Sequence, residues 1–414
     1  MKLAAILIVA SLGVWQFVEH NTYFPAGALG AGTQGLAYSR VEKALYSSDT
    51  VVYPNARSWD IRKSSDDGRT WRVVHSHPLL HTQWAAHGRG FAFNSKGTVF
   101  AIGRTEDSQK SSHWLVLRGR NQGSQWKVVD DFVFFPAPGD HYAYHVAVSR
   151  SDEICVTGRV RNNTIFARVT QTAWTVRCSV DEGETWRTID SELGAESAGI
   201  AFDSKGNLFV AGSIDRLANG VRSRDLRVKR LMKGGRVWEE VDVFPVAGGA
   251  SGAISTFVDS RDWIYVAGSG LEATPDKSQL RRWILRRSQD GGTTWKTLDR
   301  FFLNPATFSE AYEVAEDHRG RIFVVGYAMD SDRRFHAIVR MSEDSGETWT
   351  TAVDETGKDN AGIYGHNIAA TSSGRIFISG NWNTPGGGRS LIGEVMQRER
   401  PRERAESLVW HQRR

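Results

Sequence analysis

Ser288-Gln-Asp-Gly-Gly-Thr-Thr-Trp295 is one of four stretches with the pattern Ser-x-Asp-x-Gly-x-Thr-Trp. The others are Ser64–Trp71, Ser179–Trp186 and Ser342–Trp349. Two eroded copies, Gly119–Trp126 and Leu231–Trp238, keep the Gly and the Trp in register. The six tryptophans, at 71, 126, 186, 238, 295 and 349, recur about every 55 residues, the length of one four-stranded blade with its loops. The residue types suit a hairpin turn: Asp accepts hydrogen bonds from backbone N–H groups of the loop, and Gly supplies a positive φ. Thr and Trp open the next strand, where the indole packs on neighbouring structure. Folding accounts for the whole pattern. Ser64, Asp66, Gly68, Trp71, Ser179, Asp181, Gly183, Trp186, Ser288, Asp290, Gly292, Trp295, Ser342, Asp344, Gly346 and Trp349 are therefore read as scaffold.

A second signature alternates with the first. Gly199–Gly212 (GIAFDSKGNLFVAG) reads as strand, turn, strand. Equivalent stretches are Gly90–Gly103, His145–Gly158, Ser255–Gly268, Glu313–Gly326 and Asn367–Gly380, with a weaker copy at Gly35–Ser48. A further strand precedes each box, as in Arg282–Arg287. Each unit is thus a four-stranded blade, A to D, with the box in the C–D turn. The expected fold is an all-β propeller over residues 32–397, with seven blades favoured and six as the alternative. Seven blades leave the last one short of a D strand, to be supplied by Ser407–Gln412 or by a strand near the N-terminus, which closes the open sheet edge.

Composition fits this reading. The 15 Trp and 41 Gly accompany only 10 Pro, as in a fold of short strands and tight turns. The net charge is +5, and residues 398–414 hold six Arg against three Glu; this basic tail leaves a nearly neutral body, which argues against a nucleic-acid surface. Lys2, the apolar run Leu3–Val18 and the small residues Ala26-Gly27-Ala28 read as an export signal over residues 1–28. An uncleaved anchor is the competing reading. The expected address is secreted, periplasmic or cell-envelope, with membrane contact only if that segment is retained. Cys155 and Cys178 fall opposite one another on strands B and C of one blade; a disulfide is feasible there, and two buried thiols are the alternative.

The boxes make the chain resemble the Asp-box (bacterial neuraminidase repeat) superfamily, over roughly residues 32–397. The resemblance implies a propeller but no single activity, because sialidases, other glycosidases, receptors and assembly factors share the scaffold. A sialidase of this kind would use three arginines, a Tyr nucleophile with a Glu partner and an Asp acid/base, and its first arginine usually sits in a Phe/Tyr-Arg-Ile-Pro motif. No such motif occurs in this sequence. Arg321-Ile-Phe and Arg375-Ile-Phe lack the Pro and fall on the box face.

Strand direction puts the D–A and B–C loops on the face opposite the boxes. The residues entering the A strands there differ from blade to blade, as one asymmetric site requires. They include His87, Arg89, Tyr142, Tyr144, His145, Glu196, Glu310, Tyr312, Glu313, Tyr364, His366 and Asn367. Arg104, Arg159 and Asp215 join them from expected B–C loops. Such side chains suit recognition of a polar ligand, a glycan or a protein, and Glu313, Tyr312 and Glu310 are candidates for acid/base work. Against this stands the bland reading that a wet channel mouth accepts any polar residue. His87, His141 and His145 could bind a metal, but no close zinc-type ligand pair supports it, and no cofactor motif stands out. The expected protein is a monomeric binding or scaffold module, with a sialidase-like glycosidase as the alternative.

Overall fold

The computed structural model describes residues 14–79, 87–107, 111–135, 139–162, 171–218, 221–245, 251–273, 279–304, 307–357, 362–384 and 387–398. These form 28 strands and no helix. The strands make seven antiparallel four-stranded sheets, so the ring has seven blades rather than six. Blades 1 to 6 each take four consecutive strands, in the order A to D expected from the two signatures.

Blade 7 is closed from the other end of the chain. Its A to C strands are Ile363–Ala370, Ile376–Thr384 and Gly387–Arg398, and its outer strand is Val14–Tyr23, antiparallel to the last of these. Of the two expected donors, the N-terminal one is used; Ser407–Gln412 and the rest of the tail lie outside the described residues. This strand falls within the residues 1–28 expected as an export signal or anchor, so cleavage at Ala26–Ala28 would remove it.

Each box folds as its residue types require. Ser64 Oγ donates to Asp66 at 2.8 Å, the Gly68 N–H donates to Ser64 Oγ at 2.9 Å, and Thr70 donates to Asp66 through both N–H and Oγ. The same bonds recur at Asp181, Asp290 and Asp344. Bonds from the Thr hold the Asp66 and Asp181 carboxyls down to about 2. At Asp344 burial opposes them and the bonds from Thr348 prevail, again giving about 2. The box indoles donate to the Gly carbonyl at 3.0–3.1 Å. The eroded copies split. Trp126 keeps this bond to Gly123 (2.8 Å), whereas Trp238 reaches Ile189 of the preceding blade (3.3 Å).

These indoles fill the gaps between blades. Trp71 of blade 1 packs with Ala369, Phe377 and Ile392 of blade 7, Trp126 with Tyr46 and Trp59 of blade 1, and Trp349 with Trp283 and Leu285 of blade 5. The seventh gap has no box. Trp15 of the closing strand fills it, packing with Phe323, Val325 and Val339 of blade 6. Cys155 and Cys178 pair across strands B and C of blade 3 and form a disulfide, with Cα atoms 4.2 Å apart.

Candidate functional site at the channel mouth

Every A strand carries a β-bulge at the same place. Pairing between strands A and B shifts at Thr33/Gly35, Gly88/Phe91, Ala143/His145, Ser197/Gly199, Ala253/Ser255, Ala311/Glu313 and Gly365/Asn367. A bulge adds a residue that no partner opposes and re-aims its side chain. The added residues are Gln34, Arg89 (with Gly90), Tyr144, Ala198, Ile254, Tyr312 and His366. All seven line the central channel.

A glycine on strand B makes the bulge fit. In blades 2 to 7 it is Gly103, Gly158, Gly212, Gly268, Gly326 or Gly380, paired with the residue before the bulge. A Cβ at these positions would lie 1.8–2.4 Å from a backbone carbonyl oxygen of strand A. The glycine that ends each strand–turn–strand signature is thus a steric requirement of the bulge opposite. Blade 1 differs: Asp49 stands there, accepting from Thr33 Oγ (2.6 Å) and from two nitrogens of Arg62 (2.8 and 2.9 Å).

The bulge residues bound two adjoining pockets of about 580 and 800 Å³, counting the open space at their mouths. Both are lined by Arg89, Tyr144, His145, Ile254 and Tyr312. One continues to Glu313, His366 and Asn367, the other to Glu196, Ala198 and Arg281. Of the residues expected from the sequence, Arg89, Tyr144, His145, Glu196, Tyr312, Glu313, His366 and Asn367 therefore meet at one cavity. His87 and Tyr142 stand behind them: Tyr142 stacks on Tyr144 with centroids 5.3 Å apart, and His87 lies 6.4 Å from Tyr142.

Arg104, Arg159 and Asp215 lie on B strands (Val99–Glu106, Ile154–Asn162 and Leu208–Ala218), not on the expected B–C loops, because those strands extend further toward the site face. Arg104 and Arg159 are joined through Asp140, at 2.7 and 2.8 Å. The arc continues through Glu196 to Arg224 and Asp215, at 3.9, 3.4 and 3.1 Å. Three guanidinium carbons, of Arg104, Arg89 and Arg159, lie 4.0, 5.8 and 5.8 Å from the Tyr142 ring centroid. They surround a tyrosine rather than an open point, and Asp140 neutralises two of them.

Arg89 is the exception. No carboxylate lies within ion-pair distance of it among the described residues, and its Nε has no partner. Its charge is felt on every side. Burial, then Arg89, then Arg104 push His87 down to about 3; burial and Arg89 take His145 to about 4, and His366 to about 4 against the pull of the Thr33 carbonyl. The three imidazoles are thus neutral at pH 7.

Glu310 is buried in blade 6, lines neither pocket and is fully engaged. It accepts from Arg281 (2.6 Å), Ser269 (2.9 Å) and the Tyr327 hydroxyl (2.6 Å). A Tyr–Glu hydrogen bond therefore exists, but an arginine already holds its carboxylate and removes Glu310 as a free acid/base. Tyr312 shares a hydrogen bond with Tyr327, and burial pushes its hydroxyl up to about 12. Glu313 sits deeper. Burial raises its carboxyl to about 7, opposed by bonds from the Ile368 N–H (3.0 Å) and Asn367. His141 is committed elsewhere: its ring contacts the Ser112 carbonyl (2.5 Å) and accepts from the Phe135 N–H (3.0 Å), which leaves it no nitrogen for a metal.

Sequence reasoning missed Gln34, Ala198 and Ile254, which are uncharged and titrate nothing, and Asp140, Arg224, Arg281 and Tyr327, which reach the site only through pairing register.

No protein-family model matches the chain, and no curated protein matches it. Solved structures do. A polysaccharide lyase, an ulvan lyase, superposes with a TM-score of 0.59 at 12% identity, covering 91% of this chain and 96% of that one; it has also been solved bound to -[GlcA(1-4)Rha3S]-. A protein of unknown function from Dyadobacter fermentans gives 0.51 at 13% identity, covering 92% and 98%. A Hadza microbial sialidase gives 0.45 at 13%, covering 79% and 66%. At these identities the likeness shows the propeller fold alone.

Proposed function

We propose that this propeller recognises a negatively charged glycan at its channel mouth. The observation that carries the proposal is Arg89, a guanidinium on a bulge, without a carboxylate partner among the described residues, lined up with Tyr144 and Tyr312. A carboxylate or sulfate ester supplies the missing partner through charge-assisted hydrogen bonds. The tyrosines and Asn367 offer flat and polar surfaces to a sugar ring, and the neutral imidazoles neither repel nor compete for it. The ulvan lyase of the same fold acts on such a polymer, which supports this choice of ligand class. Export to the cell envelope or beyond is part of the proposal and would bring the protein to extracellular polysaccharide.

The test is a glycan array, followed by calorimetry, with acidic and neutral polysaccharides. Binding to uronate- or sulfate-bearing glycans that is lost in Arg89→Ala supports the reading. Equal binding to neutral glycans, or retention in that variant, sinks it.

One observation favours turnover as a second reading. Hydrolysis by the common route needs two carboxylates flanking the bond, but Asp140, Glu196 and Glu310 are all ion-paired, leaving Glu313. The imidazoles beside Arg89 point to a different step, removal of the proton α to a uronate carboxylate held on that arginine; burial and Arg89 make them weak bases, and the bound carboxylate would offset the arginine's share. The proton would pass to His145 or His366, the C–O bond to the next sugar would break, and a phenol would protonate the leaving oxygen. An unsaturated uronate with ultraviolet absorbance would result. Acidic polysaccharides incubated with the protein decide this: no rise in absorbance leaves binding alone.

A further inference from the structure

At one strand position blade 6, like blades 4 and 7 with Leu226 and Ser390, lacks an indole that the other four blades carry. Trp59, Trp114, Trp174 and Trp283 occupy equivalent places on the C strands of blades 1, 2, 3 and 5, paired with Thr50, Arg104, Arg159 and Ser269. In blade 6 the residue paired with Tyr327 is Ala337. The aromatic mass lies instead at the site face. Tyr312 is 5.4 Å from Tyr327, Tyr327 is 5.2 Å from Tyr364, Tyr364 is 4.4 Å from Phe335, and Phe335 is 5.3 Å from Phe308 (ring centroids). The rings gather around Tyr327, which also lies 6.0 Å from Phe308 and 5.8 Å from Phe335. Tyr312, Tyr327 and Phe335 come from strands A, B and C of blade 6, Phe308 from just before its strand A, and Tyr364 from strand A of blade 7. Each of these five residues keeps part of its surface in solvent. Of these rings Phe308 also enters a largely apolar pocket with Leu280, Thr307, Met329, Ser331 and Arg333.

We propose that this cluster is a second subsite, and that the ligand is an oligosaccharide whose acidic unit sits on Arg89 while neighbouring units cross blade 6 to the pocket at Phe308. The inference rests on the acidic-glycan reading above and adds the path and the chain length. A single sugar would need only the central cavity. The cluster touches the ring at Tyr312, which contacts His366 at 5.0 Å, so a chain held at Arg89 meets it without a gap. Aromatic surfaces suit the C–H faces of sugar rings. The other direction out of the channel, across blades 2 to 4, is an arc of paired charges that a sugar would have to break.

The experiment is calorimetric titration with polygalacturonate and ulvan oligosaccharides, from disaccharide to hexasaccharide. Wild-type protein is expected to bind hexasaccharide at least about tenfold more tightly than disaccharide. Phe308→Ala removes the platform at that pocket. Ser331→Trp fills the pocket from an exposed loop while leaving every residue of the aromatic cluster unchanged, so it guards against a folding defect in the first variant. Both should keep disaccharide affinity and lose the gain with length, whereas Arg89→Ala should lose disaccharide binding itself. If wild type shows no length dependence, or both blade 6 variants keep it, the subsite is overturned and the central reading stands. If wild type binds no member of either ladder, the central reading fails and the subsite with it.

Discussion

The ring of Trp15 meets that of Phe323 edge to face, with centroids 5.9 Å apart, joining the first described strand of the chain to blade 6. Arg321 lies over the same indole at 5.0 Å. Trp15 thereby does for blade 7 what the box tryptophans do for the others. Its replacement by Ala is expected to cost about 3 kcal/mol, read as a lower midpoint in denaturant unfolding. An unchanged midpoint would mean that the ring does not depend on this strand.

Gly326→Ala should be far more harmful than an ordinary Gly→Ala change in a strand. The new methyl would lie 2.0 Å from the Glu310 carbonyl oxygen and 2.6 Å from Trp283, so the bulge that presents Tyr312 must shift. The expected result is a large fall in melting temperature together with loss of glycan binding. Gly90→Ala is the control, because nothing lies within 4 Å of its Cβ position, and it should fold normally.

Glu313 sets a pH dependence for binding. Its carboxyl titrates at about 7, above the ordinary 4.5. Below pH 7 it is neutral, and above it a negative charge stands in the pocket that holds Arg89. Affinity for an acidic glycan should therefore fall as pH rises from 6 to 8, and Glu313→Gln should flatten that profile. Stability follows the same sign: a raised carboxyl pKa favours the folded state below about 4.5, and this contribution is lost as pH climbs through 7. Titration calorimetry across that range checks the first claim, and thermal unfolding the second.

His113 works in the opposite chemical sense. Burial lowers its pKa, but bonds to Asp131 (2.7 Å) and Asp107 (3.2 Å) outweigh it and leave a net rise above 6.5. A histidine with a raised folded pKa contributes stability that is complete below the unfolded value of about 6.5 and disappears as pH rises through the folded one. His113→Gln should therefore destabilise the protein at pH 5.5 and much less at pH 8.5. Equal losses at both would refute the imidazolium clamp.

Reduction tests the disulfide. Opening Cys155–Cys178 frees a loop of 23 residues, a loss of about 3 kcal/mol in the chain-entropy account. The midpoint in denaturant should drop on adding reductant and should not drop in the Cys155→Ser/Cys178→Ser double variant.

The blades were legible in the sequence because turn chemistry is local: Ser, Asp, Gly, Thr and Trp at fixed offsets act within one hairpin. The site face was legible too, since strand direction alone decides it. Trp15 precedes Trp71 by one more period of the same series, yet it stands in an apolar run that also reads as a leader, and the competing pattern hid it. The bulges left a trace in the glycines at 103, 158, 212, 268, 326 and 380, although a glycine that follows a short apolar run has many other causes. The ion-pair arc through Asp140 and Glu196 left none. Whether Arg104 is held or available depends on the register of strands from different blades, and nothing local encodes that.

The seven bulges have a consequence for how this scaffold can change. Each contributes one side chain that the sheet does not need, because the added residue has no partner across the ladder and its neighbours carry the pairing. Gln34, Ala198 and Ile254 occupy three of these positions with groups of little chemistry, beside four that hold Arg89, Tyr144, Tyr312 and His366. Exchanging residues there alters what the channel mouth presents while leaving box turns, blade gaps and ring closure intact. Ligand preference in this architecture is written on seven interchangeable letters, and three of them are still blank.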